Sequence, residues 1–255
     1  MTLHGPTRSE LFGLMDDSPE SVFTLGSADF VFDSKRWMRT WIFDPPYNIG
    51  FRYSSGTNDR MSVEDYHSFI EGSVKNMRVF SKKDANLFLV IYPEAAARLL
   101  PVIERSGWKL KQWLSWVYPS NIGMSHNKAT TAHRAILWFT IGIPPSYMKS
   151  VQQPYRNPKD KRIQKRIAEG AAGVNLYDWW EVNLRKNVSK GFKGYYNQLP
   201  TEIVRRMILL TTEEGEWVGD LTAGAGTTWE VAKPLNRNCW LNDTNEECLA
   251  IWEGI

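Results

Sequence analysis

The sequence predicts an α/β protein, and three observations carry that prediction. Short apolar runs alternate with stretches of helical periodicity along most of the chain. One run, 87–92, is continuously apolar, as a parallel strand covered on both faces requires. Another, ending at Asp220, enters a Gly-x-Gly turn followed by a helical pattern. The length of 255 residues and a 42% hydrophobic composition allow a substantial core, with room for an insertion.

In chain order, strands are predicted at 22–25 and 40–43. A helix follows the capping run Ser62-Val63-Glu64-Asp65, with Tyr66, Phe69, Ile70, Met77 and Phe80 as its apolar stripe. The next strand is 85–92, and a second helix starts at Pro93 and stops at Gly107. Residues 109–118 alternate, which places Leu110, Leu114 and Trp116 on one side of a more peripheral strand. A strand at 135–141 precedes the least patterned region. After Pro200-Thr201, Ile203, Met207 and Leu210 mark a third helix, and strands at 216–221 and 239–242 complete the set. Most of the twelve tryptophans, including Trp41, Trp116 and Trp217, are expected in the core.

Composition narrows the setting. Two cysteines cannot build a disulfide framework or a multi-cysteine zinc site, so no metal is expected and a reducing, cytoplasmic location is. No apolar run is long enough to span a bilayer, and the first thirteen residues lack a secretory apolar region. The net charge of +3 hides an asymmetry. Between Pro144 and Pro200 eleven cations face four acids, leaving that stretch at +7 and the remainder at −4. Such a segment reads either as a polyanion-contacting insertion or as a solvated helix face around Lys161 and Lys165.

Two motifs bear chemistry. Asp44-Pro45-Pro46-Tyr47 follows the strand at 40–43, at the end where open sheets bind ligands. The prolines stiffen the turn, hold Asp44 at the strand tip, aim the Pro45 carbonyl outward and present the Tyr47 ring. Two acceptors beside an aromatic plate suit a planar amine; the alternative is a rigid strand exit with a capping aspartate. The second motif runs from Asp220 through Thr222, Gly224, Gly226, Thr227 and Thr228, and its loop lets backbone N–H groups approach a ligand. The third glycine of a dinucleotide fingerprint is replaced by Trp229. Asp243, after the last strand, suits either ribose hydroxyls or a helix N-cap.

Together these motifs resemble the amino-methylating DNA methyltransferases with the β-type, permuted order: catalytic D-P-P-Y first, target-recognition region next, glycine-rich motif last. Further segments are similar to the family's: Trp116-Val117-Tyr118-Pro119, Ala132-His133-Arg134-Ala135-Ile136-Leu137 and Asp178-Trp179-Trp180. The resemblance implies a Rossmann-like S-adenosylmethionine-dependent fold with a seven-stranded, mostly parallel sheet and one antiparallel strand, 135–141. Because the chain stops soon after Asp243, the third strand of the cofactor half is expected from 22–25. The implied organisation is a catalytic half at 1–143, a target-recognition insertion at 144–194 and a cofactor-binding half at 195–255.

The family likeness also implies roles. Asp44, Pro45, Pro46 and Tyr47 are the catalytic residues. Cofactor contacts fall to Asp220, Thr222, Gly224, Gly226, Thr227, Thr228, Asp243, Gln198 and Asp29. DNA phosphates fall to Arg156, Lys159, Lys161, Arg162, Lys165, Arg166, Lys190 and Lys193, with Gln152, Gln153, Arg156 and Asn157 available to read bases. Departures from the pattern are Leu199 for a cofactor-binding lysine, Gly26-Ser27-Ala28-Asp29 for the usual acidic segment, and Arg134 and Tyr118 for the usual Glu and Lys. The expected activity is methylation of the N6 amine of adenine in DNA, after the base is flipped out of the stack. Cytosine N4 methylation is the runner-up, and a non-catalytic DNA-binding relative is the reading from another class. Cytosine C5 methylation needs an attacking thiolate, and neither Cys239 nor Cys248 follows a proline or lies near Asp44 in sequence. A homodimer and a separately encoded nuclease partner are further expectations from the resemblance, with no membrane association.

Overall fold

The structure is a computed structural model that describes residues 19–29, 36–51, 58–119, 123, 125–185 and 198–253. Along the chain lie β1 (Ser21–Leu25), β2 (Met38–Phe43), α1 (Val63–Val79), β3 (Ser81–Ile91), α2 (Pro93–Arg105), β4 (Lys109–Val117) and β5 (His133–Ile141). The segment that follows holds β6 (Gln152–Gln153), α3 (Lys161–Ala168), β7 (Val174–Asn175) and β8 (Trp179–Glu181). The last part contains α4 (Thr201–Thr211), β9 (Trp217–Asp220), α5 (Thr227–Ala232), β10 (Asn238–Asp243) and α6 (Glu247–Glu253).

Eight strands form one sheet in the order β1-β10-β9-β2-β3-β5-β4-β8. Every neighbouring pair is parallel except the two that involve β5. The N-terminal strand pairs with β10, Leu25 opposite Asp243, and so supplies the third strand beside β9 and β10 as expected. The expected seven strands become eight. Trp179–Glu181 adds itself to the edge of β4, with Ser115 N–H donating to the Asp178 carbonyl (2.8 Å) and Trp116 Nε1 to the Val182 carbonyl (2.7 Å). The basic segment is therefore stitched into the sheet, while β6 and β7 pair only with each other.

Local chemistry explains the helix limits. Ser62 caps α1, its hydroxyl accepting from Asp65 N–H at 3.0 Å. Pro93 opens α2, where its missing N–H leaves no bond unmade, and Gly107 follows the end with φ +89. Two cores flank the sheet. One packs Ile70, Met77, Leu99 and Ile103 of α1 and α2 on one face; the other packs Ile203, Met207, Trp229 and Trp252 of α4, α5 and α6 on the opposite face.

Two packing expectations need correction. A register shift between Leu110 and Gln112 reverses the alternation of β4. Leu110 consequently packs with the α1–α2 core, whereas Leu114 and Trp116 join the other. Trp41 and Trp116 are fully buried, but Trp217 is only partly so, with the Arg36 guanidinium 5.1 Å from its ring centre. Trp41 also explains Gly219 in the middle of β9, since a Cβ there would lie 2.2 Å from the indole ring.

Candidate active site

The carboxyl ends of β2 and β9 are neighbours, with Ile42 directly opposite Asp220. This register brings the Asp44 turn and the glycine loop, far apart in sequence, onto one rim. They line a single cavity of about 610 Å³ together with Ala28, Tyr92, Arg134, Gln198 and Asp243.

The Asp44 wall is stiff. Tyr47 Oη donates to Asp44 Oδ1 at 2.5 Å, and Tyr66 Oη of α1 donates to the Pro46 carbonyl at 2.7 Å. Asn48, at φ 57, clasps Met61 with both ends of its amide: Met61 N–H donates to Oδ1 (2.7 Å) and Nδ2 donates to the carbonyl (3.2 Å). Asp44 faces the cavity but is otherwise surrounded by protein, and this desolvation pushes its pKa up to about 6, against the lowering effects of the Arg134 guanidinium and the Tyr47 hydroxyl.

The glycine wall is built around two carboxylates. Asp220 accepts from Thr222 N–H (3.1 Å) and Thr228 Oγ1 (2.5 Å), and burial pushes its pKa up to about 7. Asp243 accepts from Gly224 N–H (2.8 Å) and Asn245 N–H (3.0 Å). Asp243 does not cap α6, because the Glu247 N–H donates instead to the Asn245 side chain at 3.0 Å. It fastens the glycine loop to the strand end. Gly224 and Gly226 adopt φ +50 and +81, and a Cβ on Gly226 would meet the Trp252 indole at 2.8 Å. That glycine is thus required by backbone and packing alike.

Of the sequence-predicted residues, Asp44, Pro45, Pro46, Tyr47, Gln198, Asp220, Thr222, Gly224, Thr227, Thr228 and Asp243 all line the cavity. Gly226 sits behind them as the N-cap of α5. Asp29 does not line it: the side chain is exposed and accepts from the Ser27 hydroxyl, while Ser27 and Ala28 form the wall. Leu199 is buried in the wall, an apolar surface where the resemblance implies a lysine. Arg156, Lys159, Lys161, Arg162, Lys165 and Arg166 are all exposed, and α3 buries none of its residues. Arg156 stands 4.5 Å from the centre of the Trp179 ring. Lys190 and Lys193 lie outside the described residues.

Sequence reasoning passed over Tyr92 and Asp59, which also line the cavity, and treated Arg134 only as a departure. Tyr92 stands directly after β3, so the strand-end rule that selected Asp44 would have selected it too. The ring centres of Tyr47 and Tyr92 are 5.1 Å apart in an edge-on arrangement. Arg134 and Tyr118, the paired departures, are neighbours, with the guanidinium 5.8 Å from the Tyr118 ring centre.

The wall carries four carboxylates, Asp44, Asp59, Asp220 and Asp243, against one guanidinium, Arg134. Such a cavity favours a ligand bearing positive charge. Among the described residues there is no cluster of three or more His, Cys, Asp or Glu arranged to hold a metal. No helix among them is long and apolar enough to cross a membrane.

Comparison with known proteins places the chain. It is 26% identical over 219 residues to the type II methyltransferase M.HpaI of Haemophilus parainfluenzae, covering 81% of this chain and 64% of that one. Against the type II methyltransferase M.BglII of Bacillus subtilis it is 28% identical, covering 77% of this chain and 57% of that one. The chain therefore spans less than two thirds of these relatives' length. The fold matches PvuII DNA methyltransferase, described as cytosine-N4-specific, with a TM-score of 0.67 at 14% identity over 92% of this chain and 87% of that one. It matches the M1.HpyAVI–SAM complex with a TM-score of 0.65, again at 14% identity, over 92% and 98%. The profile of the N6/N4 DNA methylases spans residues 38–253, and the chain belongs to that family.

Proposed function

We propose that this chain is a β-type, S-adenosylmethionine-dependent DNA methyltransferase that methylates the N6 amine of adenine. One observation carries the reading: the Asp44 turn and the glycine loop line one cavity. The residues suit the cofactor. Asp243 places a cavity-lining carboxylate where ribose hydroxyls would bind, Gly224 and Ala225 give close backbone approach, and Thr222 Oγ1 is a buried wall atom with no partner. The surplus of carboxylates suits its positive charge. When bound, S-adenosylmethionine supplies a methyl group already activated on a sulfonium.

The protein's own part is positioning and charge. The adenine amine is a weak nucleophile because its lone pair is spread into the ring. Accepting hydrogen bonds from that amine, the Asp44 carboxylate and Pro45 carbonyl favour a pyramidal nitrogen with its lone pair aimed across the cavity. Most of the acceleration then comes from orientation and fixed electrostatics. Asp44 accepts most strongly when ionised; it orients the amine, and the proton leaves after transfer. Stacking on Tyr47 holds the flipped base, an interaction worth about 1–3 kcal/mol on aromatic platforms. The exposed cations from Arg156 to Arg166 take DNA phosphates, with 144–194 as the target-recognition segment.

Tritiated methyl transfer to DNA, followed by nucleoside analysis, tests this. Label in N6-methyladenine is the expected result. Label in 4-methylcytosine would transfer the same mechanism to the other amine base, and no label with any DNA would leave only a binding role.

A further inference from the structure

Arg134 is the only cation among the described residues lining the cavity, and its surroundings are unusual for a charge. It is 6% exposed, and its guanidinium carbon lies 4.9, 5.4, 5.2 and 5.8 Å from the ring centres of Tyr47, Tyr92, Trp116 and Tyr118. Four π faces can hold a desolvated cation. They leave one need unmet, for Nε is buried and has no hydrogen-bond partner. A buried charged donor without an acceptor is unfavourable, and in a ligand cavity the missing acceptor points to the ligand. Tyr47 ties this guanidinium to Asp44: its hydroxyl donates to Asp44 Oδ1 at 2.5 Å, and its ring centre lies 4.9 Å from the Arg134 guanidinium carbon.

Asp44 and Arg134 thus give the wall an acceptor beside a donor. An amine base presents the complementary order: an amino donor next to a ring-nitrogen acceptor, N6 and N1 in adenine, N4 and N3 in cytosine. Guanine and thymine present a carbonyl next to a ring N–H, the reverse order. Resting on the reading of this cavity as the target-base pocket, we propose that Arg134 reads the base, donating to the ring nitrogen beside the amine that Asp44 and Pro45 hold. Selection between amine and keto bases then lies in the Asp44–Arg134 pair. Tyr118 and the other rings keep the guanidinium in place and do not themselves read the base.

The test uses a duplex containing the site mapped by modified-base sequencing of DNA from cells expressing the chain. The target adenine is replaced by 1-deazaadenine, which keeps the amine and lacks N1, or by 7-deazaadenine, which keeps both. Single-turnover methyl transfer by the unaltered protein is expected to be about tenfold or more slower on the 1-deaza duplex than on the 7-deaza one, the scale of a missing charged hydrogen bond. Arg134→Met should erase that difference, a coupling that a purely structural role for Arg134 would not produce. Equal rates on the two analogues with the unaltered protein would overturn the proposal, and this comparison needs no variant to fold. Should plain adenine go unmethylated and label appear in cytosine, the adenine reading falls; 3-deazacytosine, which lacks N3, then tests Arg134 in the same way.

Discussion

The two walls of the cavity are held in opposite ways. On the glycine side Asp220 accepts from Thr222 N–H and Thr228 Oγ1, Asp243 accepts from Gly224 N–H and Asn245 N–H, and Gly226 is locked by Trp252. On the target side Asp44 is held by the Tyr47 hydroxyl, and the Arg134 Nε has no partner. Apart from the Thr222 hydroxyl, whose oxygen has no partner, the first wall is satisfied by its own groups before any ligand arrives. The second carries polar groups whose partners a ligand must supply. On the proposed reading, one wall sets stability and cofactor affinity, and the other sets chemistry and base choice.

The strongest way to break that contrast is Asp44→Ala. It should reduce methyl transfer by about 10²–10³-fold or more, as loss of a single oriented polar group in a reacting site does. Calorimetric binding of S-adenosylmethionine should survive. Equal loss of binding and transfer would show that the walls are not separable.

pH acts on stability and on activity with opposite sign. Asp220, held at about 7 against 3.8 for an exposed aspartate, binds more protons folded than unfolded between those values. Stability should therefore fall as pH rises from about 4 to about 7, by up to about 4 kcal/mol. Thermal melts from pH 5 to 8 should show the decline, and Asp220→Asn should reduce it, leaving the smaller part that Asp44 and Asp243 contribute. Activity should move the other way, rising through about 6 as Asp44 ionises and becomes an acceptor. A rate profile flat across pH 5 to 7 would remove Asp44 from that role.

Gly226→Ala sharpens the glycine side. With φ +81 and the Trp252 indole 2.8 Å from the added carbon, the change should destabilise by about 1–3 kcal/mol. A melting temperature lower by several degrees, with weaker cofactor binding, would follow.

How much of this was legible beforehand depended on the physical signal. Seven of the eight strands of the large sheet announced themselves by apolar runs or, for β4, by alternation, and both motifs by their place at strand ends. Their meeting follows from the adjacency of β2 and β9, which strand-end logic anticipates for a parallel sheet. β8 was missed as a strand because three residues, Trp179–Glu181, carry no periodicity; only pairing with β4 makes them one. Leu110 was put on the wrong face because a single bulge inverts a period of two. Arg134 looked like a defect in a family pattern, since its value depends on four rings drawn from separate stretches of the chain. Neighbours that only tertiary packing creates leave no local trace.

The smallest structural effect, and the last contrast, concerns the basic helix. α3 buries no residue, and Asp160 caps it from outside, accepting from Arg162 N–H at 2.8 Å. Replacing Lys161 and Lys165 by Gln should leave the melting temperature unchanged, because nothing packs beneath them. Their proposed work is electrostatic, so it appears only against salt. Each phosphate that these lysines no longer neutralise should lower the slope of log affinity for DNA against log salt by about 0.9. A double variant with an unaltered slope would mean that the +7 of this segment is only a solvated face. A reduced slope with unchanged discrimination between 1-deaza and 7-deaza duplexes would show that charge brings the DNA and the target wall chooses the base.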